Sequence, residues 1–477
     1  MTNRKNMGII ITLLLLINGL DLFYDNAPFI FSDESIILKN NDESEPSKIK
    51  LSNQGYINYN EQELFWFIHI TDTQFVWSTN ENIDNFNQLL NVTFKEINPL
   101  FIYNTGDLVD GNRGFQQNVD EWRLYKKSLE DNNMNSSIYI DLVGNHDVTL
   151  NPNFNYYLNY SMIGRNFNTL QYSFNKSFSF GNYAFIGLNT VKNSYNLIEF
   201  GWYGFLNTTE LDWYEEELEK YRNFDRIFVF GHHSHNSPPP YLIISDLSSS
   251  GKTFFEINEE YNVFCYLSGH VHGNTFRKDS NLLMITTRNF DHNDGTYRII
   301  TLDHNQLSTS IEYVGKWPQT VITYPSSESS LIQGKSKIRV LSWDPLGINS
   351  VKWSIHSINN ESQITNWEPL SNIDPNEPLW EGDLDVHLGG KFLLKIKVEG
   401  GSGVALKEII FYSKNDRGFS FLLVFIVIII ALISISIVIL NYSKIHILKF
   451  KIRRKAKLES EHNKIKGQIT KLKSYDL

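Results

Sequence analysis

The chain has 477 residues and a formal net charge of −10, with 41% hydrophobic, 20% charged and 14% aromatic content. That excludes wholesale disorder, a collagen-like repeat or a long coiled coil, and length suggests about three folding units. The acidic balance excludes a general nucleic-acid binder, so no nucleic-acid partner is expected. The charge is uneven: the last 37 residues hold eleven Lys or Arg and three acids, so the body is strongly acidic. Such a split calls for two compartments.

In chain order, a basic start at Arg4-Lys5 precedes an apolar run, Gly8 to Leu20. This predicts a secretory signal peptide over 1–20, with an uncleaved anchor as the alternative. Residues 21–62 are polar and read as an irregular lumenal lead-in. From 63 the pattern changes. Strand-like runs over Leu64–Thr71, Leu100–Asn104, Ser137–Val143, Tyr183–Leu188, Arg226–Phe230 and Val263–Leu267 alternate with helix-like Asn85–Ile97, Val119–Glu130 and Glu210–Arg222. This alternation predicts a layered α/β domain over 63–317, closed by strands at Leu282–Thr287, Tyr297–Leu302 and Ser308–Tyr313. Residues 318–413 show only short strands, including Ile338–Trp343, Ser350–Ser354, Lys391–Val398 and Ala405–Tyr412. They predict an immunoglobulin-like β-sandwich, without a core disulfide because Cys265 is the only cysteine. This sandwich reads as a spacer from the bilayer, with a protein or glycan partner as a further possibility.

Phe419 to Leu440 is an uncharged apolar run, long enough to cross a bilayer. Lys444, Lys449, Lys451, Arg453, Arg454, Lys455 and Lys457 follow it. Positive residues stay on the cytoplasmic side, so 441–477 reads as a basic cytoplasmic tail. The expectation is a single-pass protein of the secretory pathway or plasma membrane with a lumenal or extracellular body. Sequons at Asn91, Asn135, Asn159, Asn175, Asn207 and Asn360 fit that topology as glycosylation candidates.

Five motifs follow predicted strands: Asp72-Thr-Gln74, Gly106-Asp107-Leu-Val-Asp110, Gly144-Asn145-His146-Asp147, Gly231-His232 and Gly269-His270-Val-His272. Strand ends are where an open α/β sheet places its site. Mixed carboxylate, amide and imidazole donors suit Zn, Mn or Fe rather than thiolate chemistry. Phosphoester hydrolysis needs a nucleophile at neutral pH and a clamp on developing charge, and two divalent metal ions supply both. Asp107 is the natural bridge. One metal would take Asp72, Gln74, Asp107 and His272; the other would take Asp107, Asn145, His232 and His270. His146 is the candidate acid for the leaving oxygen, with Asp147 as its orienting carboxylate. Each motif alone is weak, and the set in this order is not.

These motifs resemble the calcineurin-like metallophosphoesterase superfamily over roughly 63–315. The resemblance implies a two-sheet β-sandwich flanked by helices, with the ligand roles above. Arg298 to His304, Gly315 to Pro318 and Val321 to Pro325 are similar to the transmembrane protein 62 family, which implies an added immunoglobulin-like domain and membrane spans. The chain departs from the superfamily pattern at Gln74, where His is usual; an amide oxygen coordinates Zn or Fe less strongly. His233 and His235 are surplus to the fourth motif. With Arg113 they are candidate phosphate contacts, or else solvated side chains. Phe75 and Trp77 either wall the pocket or belong to the core. The function expected is a membrane-anchored, metal-dependent phosphoesterase acting on an unidentified phosphoester. The alternative is a non-catalytic receptor or adaptor that keeps the fold.

Overall fold

The computed structural model describes residues 54–58, 62–76, 81–111, 117–148, 153–191, 203–235, 243–279, 281–290, 294–328, 331–333, 335–358, 362–385, 389–414 and 417–473. The predicted signal segment, Trp77, Arg113 and the sequon Asn360 lie outside these residues.

Two mixed sheets face each other. In the first, the order is Gln306–Tyr313, Thr296–Asp303, Leu64–Ile70, Ile102–Asn104, Tyr139–Asp141, the last three parallel. In the second it is Thr275–Asp279, Leu282–Thr286, Cys265–Ser268, Arg226–Phe230, Gly181–Gly187, Tyr172–Phe178, with the four middle strands parallel. Leu64–Ile70 shows why the sequence folds this way, because all seven residues are buried. Successive side chains point to opposite faces. Phe65 and Phe67 therefore enter the inter-sheet core with Phe185, Phe228 and Phe230. Trp66, Ile68 and Ile70 pack outward with Phe86, Leu89, Trp122 and Tyr125 of the helices over 81–97 and Val119–Asp131. A strand covered on both faces reads as one apolar run. The helix Thr208–Lys220 covers the second sheet through Leu211, Tyr214 and Leu218. Its start is fixed by a capping box between Asn207 and Glu210. This is the expected two-sheet sandwich flanked by helices.

The lead-in is not wholly irregular: Tyr56–Ile57 adds a short strand against Leu64 and Phe65. From Gln319 onward, antiparallel strands form the expected immunoglobulin-like sandwich. One sheet runs Gln319–Tyr324, Lys335–Trp343, Leu379–Asp385, Ser371–Asn372; the other centres on Val404–Lys414, Gly390–Gly400 and Ile348–Ser357. Ile338, Val340, Trp353, Leu394, Ile396 and Phe411 fill its core.

This sandwich is bonded to the α/β domain. Arg339 donates from Nε to Asp303 Oδ2 at 2.7 Å, and its guanidinium also meets Glu381 and Gln62. Burial opposes the charge on Asp303, but His304, Arg339 and Thr323 hold its carboxyl below the usual range. Lys407 pairs with Glu312 at 2.9 Å, and the Trp66 and Trp343 rings stand 5.7 Å apart. A spacer joined only by a linker would lack such buried charge pairs.

A second compact unit contains the helix Arg417–Lys473. It is long and apolar enough to cross a membrane. At 1.5 Å per residue its 57 residues extend about 85 Å. The helix therefore continues through the basic segment expected to be a separate tail. Cys265 is buried in a strand, and burial pushes its thiol well up, which suits packing and not nucleophilic chemistry.

Candidate metal centre

Each motif follows the C-terminal end of a parallel strand. Backbone hydrogen bonds stitch the first two loops together: Asp72 N–H donates to Gly106 O, and Gln74 N–H donates to Asp107 O, each at 2.9 Å. Asp72, Gln74, Asp107, His270 and His272 all have φ between 40° and 68°. Five of seven predicted ligands thus sit in the left-handed region, which costs about 1–3 kcal/mol each outside glycine. The surrounding bonds hold this conformation. Two glycines allow the close approach. A Cβ on Gly144 would fall 2.1 Å from Asp107 Oδ1, and one on Gly269 would fall 1.8 Å from Thr71 Oγ1.

One lobe comprises Asp107, His232 and His270, whose ligand atoms lie within 4.8 Å of one another. His232 is fully buried. Its Nδ1 faces the Thr105 carbonyl at 3.0 Å, so Nδ1–H donates there and Nε2 is left toward the lobe. Around that Nε2 stand Asn145 Oδ1 at 2.9 Å and Asp107 Oδ2 at 3.2 Å. Lone pairs converging on one point are the donor set of a cation. Without one, burial favours neutral His232, but Asp107 overrides it and pushes the imidazole up to about 9.

The other lobe comprises Asp72 and His272. Asp72 Oδ2 accepts from Thr71 Oγ1 at 2.6 Å and His270 N–H at 3.0 Å. Its Oδ1 is buried without a hydrogen-bond donor, and His272 Nε2 lies 3.3 Å away. Burial opposes the charge, but His272 draws the carboxyl below its usual range. An orphaned buried carboxylate oxygen beside an imidazole also fits a metal. Gln74 is buried, and its backbone carbonyl accepts from Asn82 Nδ2 at 3.3 Å.

His146 is placed at the edge, 21% exposed, with Nε2 3.9 Å from Asp107 Oδ2. Its Nδ1 bonds the Asp110 carbonyl at 2.7 Å. The expected orienting role of Asp147 needs correction. Asp147 Oδ1 accepts from the Leu108 and Val109 amides at 2.9 and 3.1 Å, and Oδ2 accepts from Gly144 N–H at 2.8 Å. It pins the second and third motif loops together, while Asp110 orients His146. The solvated-side-chain alternative for His233 and His235 is also overturned: both are buried. His233 Nδ1 faces Thr190 Oγ1 at 2.9 Å, with its ring 4.5 Å from His270. His235 meets Asn258 at 3.0 Å and packs on Phe254 and Phe255. Phe75 is in the core against Phe86 and Tyr125.

Sequence reasoning missed a polar relay beneath the site. His69 lies opposite Arg298 in antiparallel register, and both are buried. Arg298 Nε–H donates to Thr287 Oγ1 at 3.1 Å. The Thr287 hydroxyl can then donate to His69 Nδ1, 2.7 Å away. His69 Nε2–H in turn donates to Thr105 Oγ1 at 3.1 Å. Burial and then Arg298 press His69 down to about 3, so it is neutral. The relay ends on Thr105, whose carbonyl fixes His232.

Residues 65–274 match the family model described as calcineurin-like phosphoesterase. Transmembrane protein 62 of Mus musculus is 26% identical over 259 residues, covering 49% of this chain and 37% of that protein. The putative metallophosphoesterase At3g03305 of Arabidopsis thaliana is 25% identical over 232 residues, covering 44% of this chain and 30% of that protein. The matched stretch is thus well under half the length of these curated relatives. A solved structure titled "GAP50 the anchor in the inner membrane complex of Plasmodium" covers 53% of this chain and 85% of that one, at 15% identity and a TM-score of 0.37.

Proposed function

We propose that this chain, which carries a calcineurin-like metallophosphoesterase domain, hydrolyses a phosphoester at the centre formed by its strand-end loops. The observation that carries the reading is the convergence of Asp107, His232 and His270 with Asn145 beside them. Asp107, Asn145, His232 and His270 would hold one divalent ion, and Asp72, Gln74, His272 and Asp107 a second. Bound there, the ions supply an acidified water and neutralise phosphate charge.

The chain's own residues do the rest. Asp110 fixes the ring of His146 through Nδ1, which leaves Nε2 as the atom that carries a proton to the leaving oxygen. The Asp107 and Asp110 carboxylates stand 3.9 Å from its two nitrogens, counter-charges for the imidazolium that such an acid must be. Asp147 keeps the loops of Asp107 and His146 in register through three backbone amides.

The helix Arg417–Lys473 anchors the chain, with its basic half in the cytoplasm by the positive-inside bias. That puts the catalytic body on the lumenal or extracellular side, after a secretory signal. Asn91, Asn135, Asn159, Asn175 and Asn207 are all exposed, which supports glycosylation there.

The test is turnover of aryl phosphate monoesters and diesters by the full chain in detergent, across leaving groups of rising basicity. Removal of His146 by His146→Gln should cost about 10²–10⁴-fold on poor leaving groups and much less on good ones. No turnover with added Mn²⁺ or Zn²⁺, or an equal loss on all leaving groups, contradicts the reading.

A further inference from the structure

Beneath the Asp72 lobe runs a second chain of buried hydrogen bonds. Thr73 stands between Asp72 and Gln74, both in the left-handed region. Asn104 is the last residue of the strand that leads to Asp107. Thr73, Asn104, Tyr125, Tyr139 and Asp141 are all fully buried. Asn104 Nδ2 donates to Tyr139 Oη at 3.0 Å, the Tyr139 and Tyr125 hydroxyls lie 2.9 Å apart, and Tyr125 Oη donates to Asp141 Oδ2 at 2.9 Å. At the site end, Gly106 N–H donates to Asn104 Oδ1 at 3.2 Å and Asn104 Nδ2 donates to Thr73 Oγ1 at 3.4 Å. Thr73 Oγ1 donates in turn to the Leu108 carbonyl at 3.1 Å.

The far end dictates the order of this chain. Burial pushes the Asp141 carboxyl up to about 6, so it is ionised at neutral pH, and a carboxylate only accepts. It is held at the start of helix Met162–Phe167 by the Met162 and Ile163 amides at 2.7 and 2.8 Å. Tyr125 must therefore donate to it. A phenol has one proton, and burial pushes both tyrosines up, so each keeps its own. Tyr139 then donates to Tyr125, and its oxygen is left to accept from Asn104. This sets the amide of Asn104 with Nδ2 toward Tyr139 and Thr73 and Oδ1 toward Gly106. With the amide turned over, the Gly106 N–H would meet another donor, and Tyr139 would meet an acceptor with no proton left to give.

We infer that Asn104, with Tyr139 holding its amide, is a positioning residue for the Asp72 lobe; this rests on the two-metal reading of the centre. A left-handed backbone outside glycine persists only where its surroundings over-determine it. Asn104 grips the Asp72–Gln74 loop through Thr73. It grips the Asp107 loop through Gly106, whose carbonyl accepts from Asp72 N–H. It thereby sets where Asp72 and Gln74 stand relative to the shared Asp107. A buried network with every member satisfied is rigid, and rigid ligands lose little freedom on binding. Asn145, His232 and His270 take no part in these bonds.

The experiment is calorimetric titration of the full chain in detergent with Mn²⁺, the Asp72-lobe step being the one that Asp72→Asn removes. Tyr139→Phe keeps the ring and deletes the hydroxyl. It should weaken the Asp72-lobe step about 10–100-fold and leave the other step unchanged. Thr73→Val, which releases the loop directly, should do the same, and it decides the matter if Tyr139→Phe does not fold. Tyr157→Phe is the control: its hydroxyl is equally buried and bonds the Asp141 backbone carbonyl at 3.0 Å, outside the ordered chain. It should lower the melting temperature of the metal-free chain about as much as Tyr139→Phe, yet leave both steps unchanged. An Asp72-lobe step unchanged in Tyr139→Phe and Thr73→Val, or weakened as much by Tyr157→Phe as by Tyr139→Phe, would overturn the inference and leave the metal centre standing. A wild-type chain that binds no Mn²⁺ would overturn the metal-centre reading and the inference with it.

Discussion

The two lobes of the metal centre differ in how they are built. In the Asp107 lobe, His232 is fully buried, fixed through Nδ1 by the Thr105 carbonyl and supported by the relay from Arg298. In the Asp72 lobe, His272 is 44% exposed and Gln74 stands where an imidazole is usual. A ligand fixed by buried partners loses little freedom on binding, and a stiff imidazole is a stronger donor than an amide. The first lobe should therefore bind metal tightly and the second weakly, with Asp107 shared. If both lobes hold metal as proposed, one residue type and one exposed side chain would set their occupancies without altering the fold.

The largest break is Asp107→Asn. It removes the charge between the lobes, and a reduction in turnover of about 10³-fold or more is expected, with metal lost from both. Assay of turnover beside metal content checks it; full activity with one metal retained would show that Asp107 is not shared. Next is Thr287→Val, which keeps the shape and cuts the relay to His69. Metal affinity of the Asp107 lobe should fall about 10–100-fold while the Asp72 lobe is unaffected. A competition titration with a chelator reads this directly.

Gln74→His sharpens the comparison from the other side. His tolerates the left-handed backbone at this position. Affinity at the second lobe should rise by about ten-fold, bringing the lobes closer together. Unchanged affinity would mean that residue 74 does not ligate.

The smallest effect is on stability. In the metal-free chain His232 is raised from its ordinary value to about 9. A histidine with a raised folded pKa stabilises fully below about 6.5, and that contribution is lost as pH rises through about 9. The stripped chain should lose a few degrees of melting temperature across this window. The loaded chain should not, because the metal replaces the proton on Nε2. Calorimetric scans of both forms decide it.

Much of this centre was legible because the ligands follow apolar runs whose length and endings are local properties. Asp72, Asp107, Asn145, His232 and His270 each come within four residues of a strand end. The relay was not legible. His69, Thr287 and Arg298 are ordinary strand or strand-end residues until antiparallel pairing sets His69 opposite Arg298. The role of Asp147 was misread for a similar reason: adjacency to His146 in sequence suggested contact, whereas the turn directs its carboxyl at the Leu108 and Val109 amides, 39 and 38 residues away, and at Gly144. His233 and His235 looked like loop residues because polarity alone does not reveal burial. Helices Asn155–Tyr160 and Met162–Phe167 escaped notice because six residues are too few to show a helical period. The joining of the two domains through Arg339 and Asp303 depends on residues far apart in the chain.

The most direct test of the unequal-lobe account is metal bound per full chain, in detergent, measured against free Mn²⁺ or Zn²⁺ for wild type and Gln74→His. The account predicts two steps for wild type, a tight one and a weak one. Only the weak step should tighten in the variant, and turnover should follow its filling. A single step of one metal per chain in both proteins, or two equal steps in wild type, would contradict it.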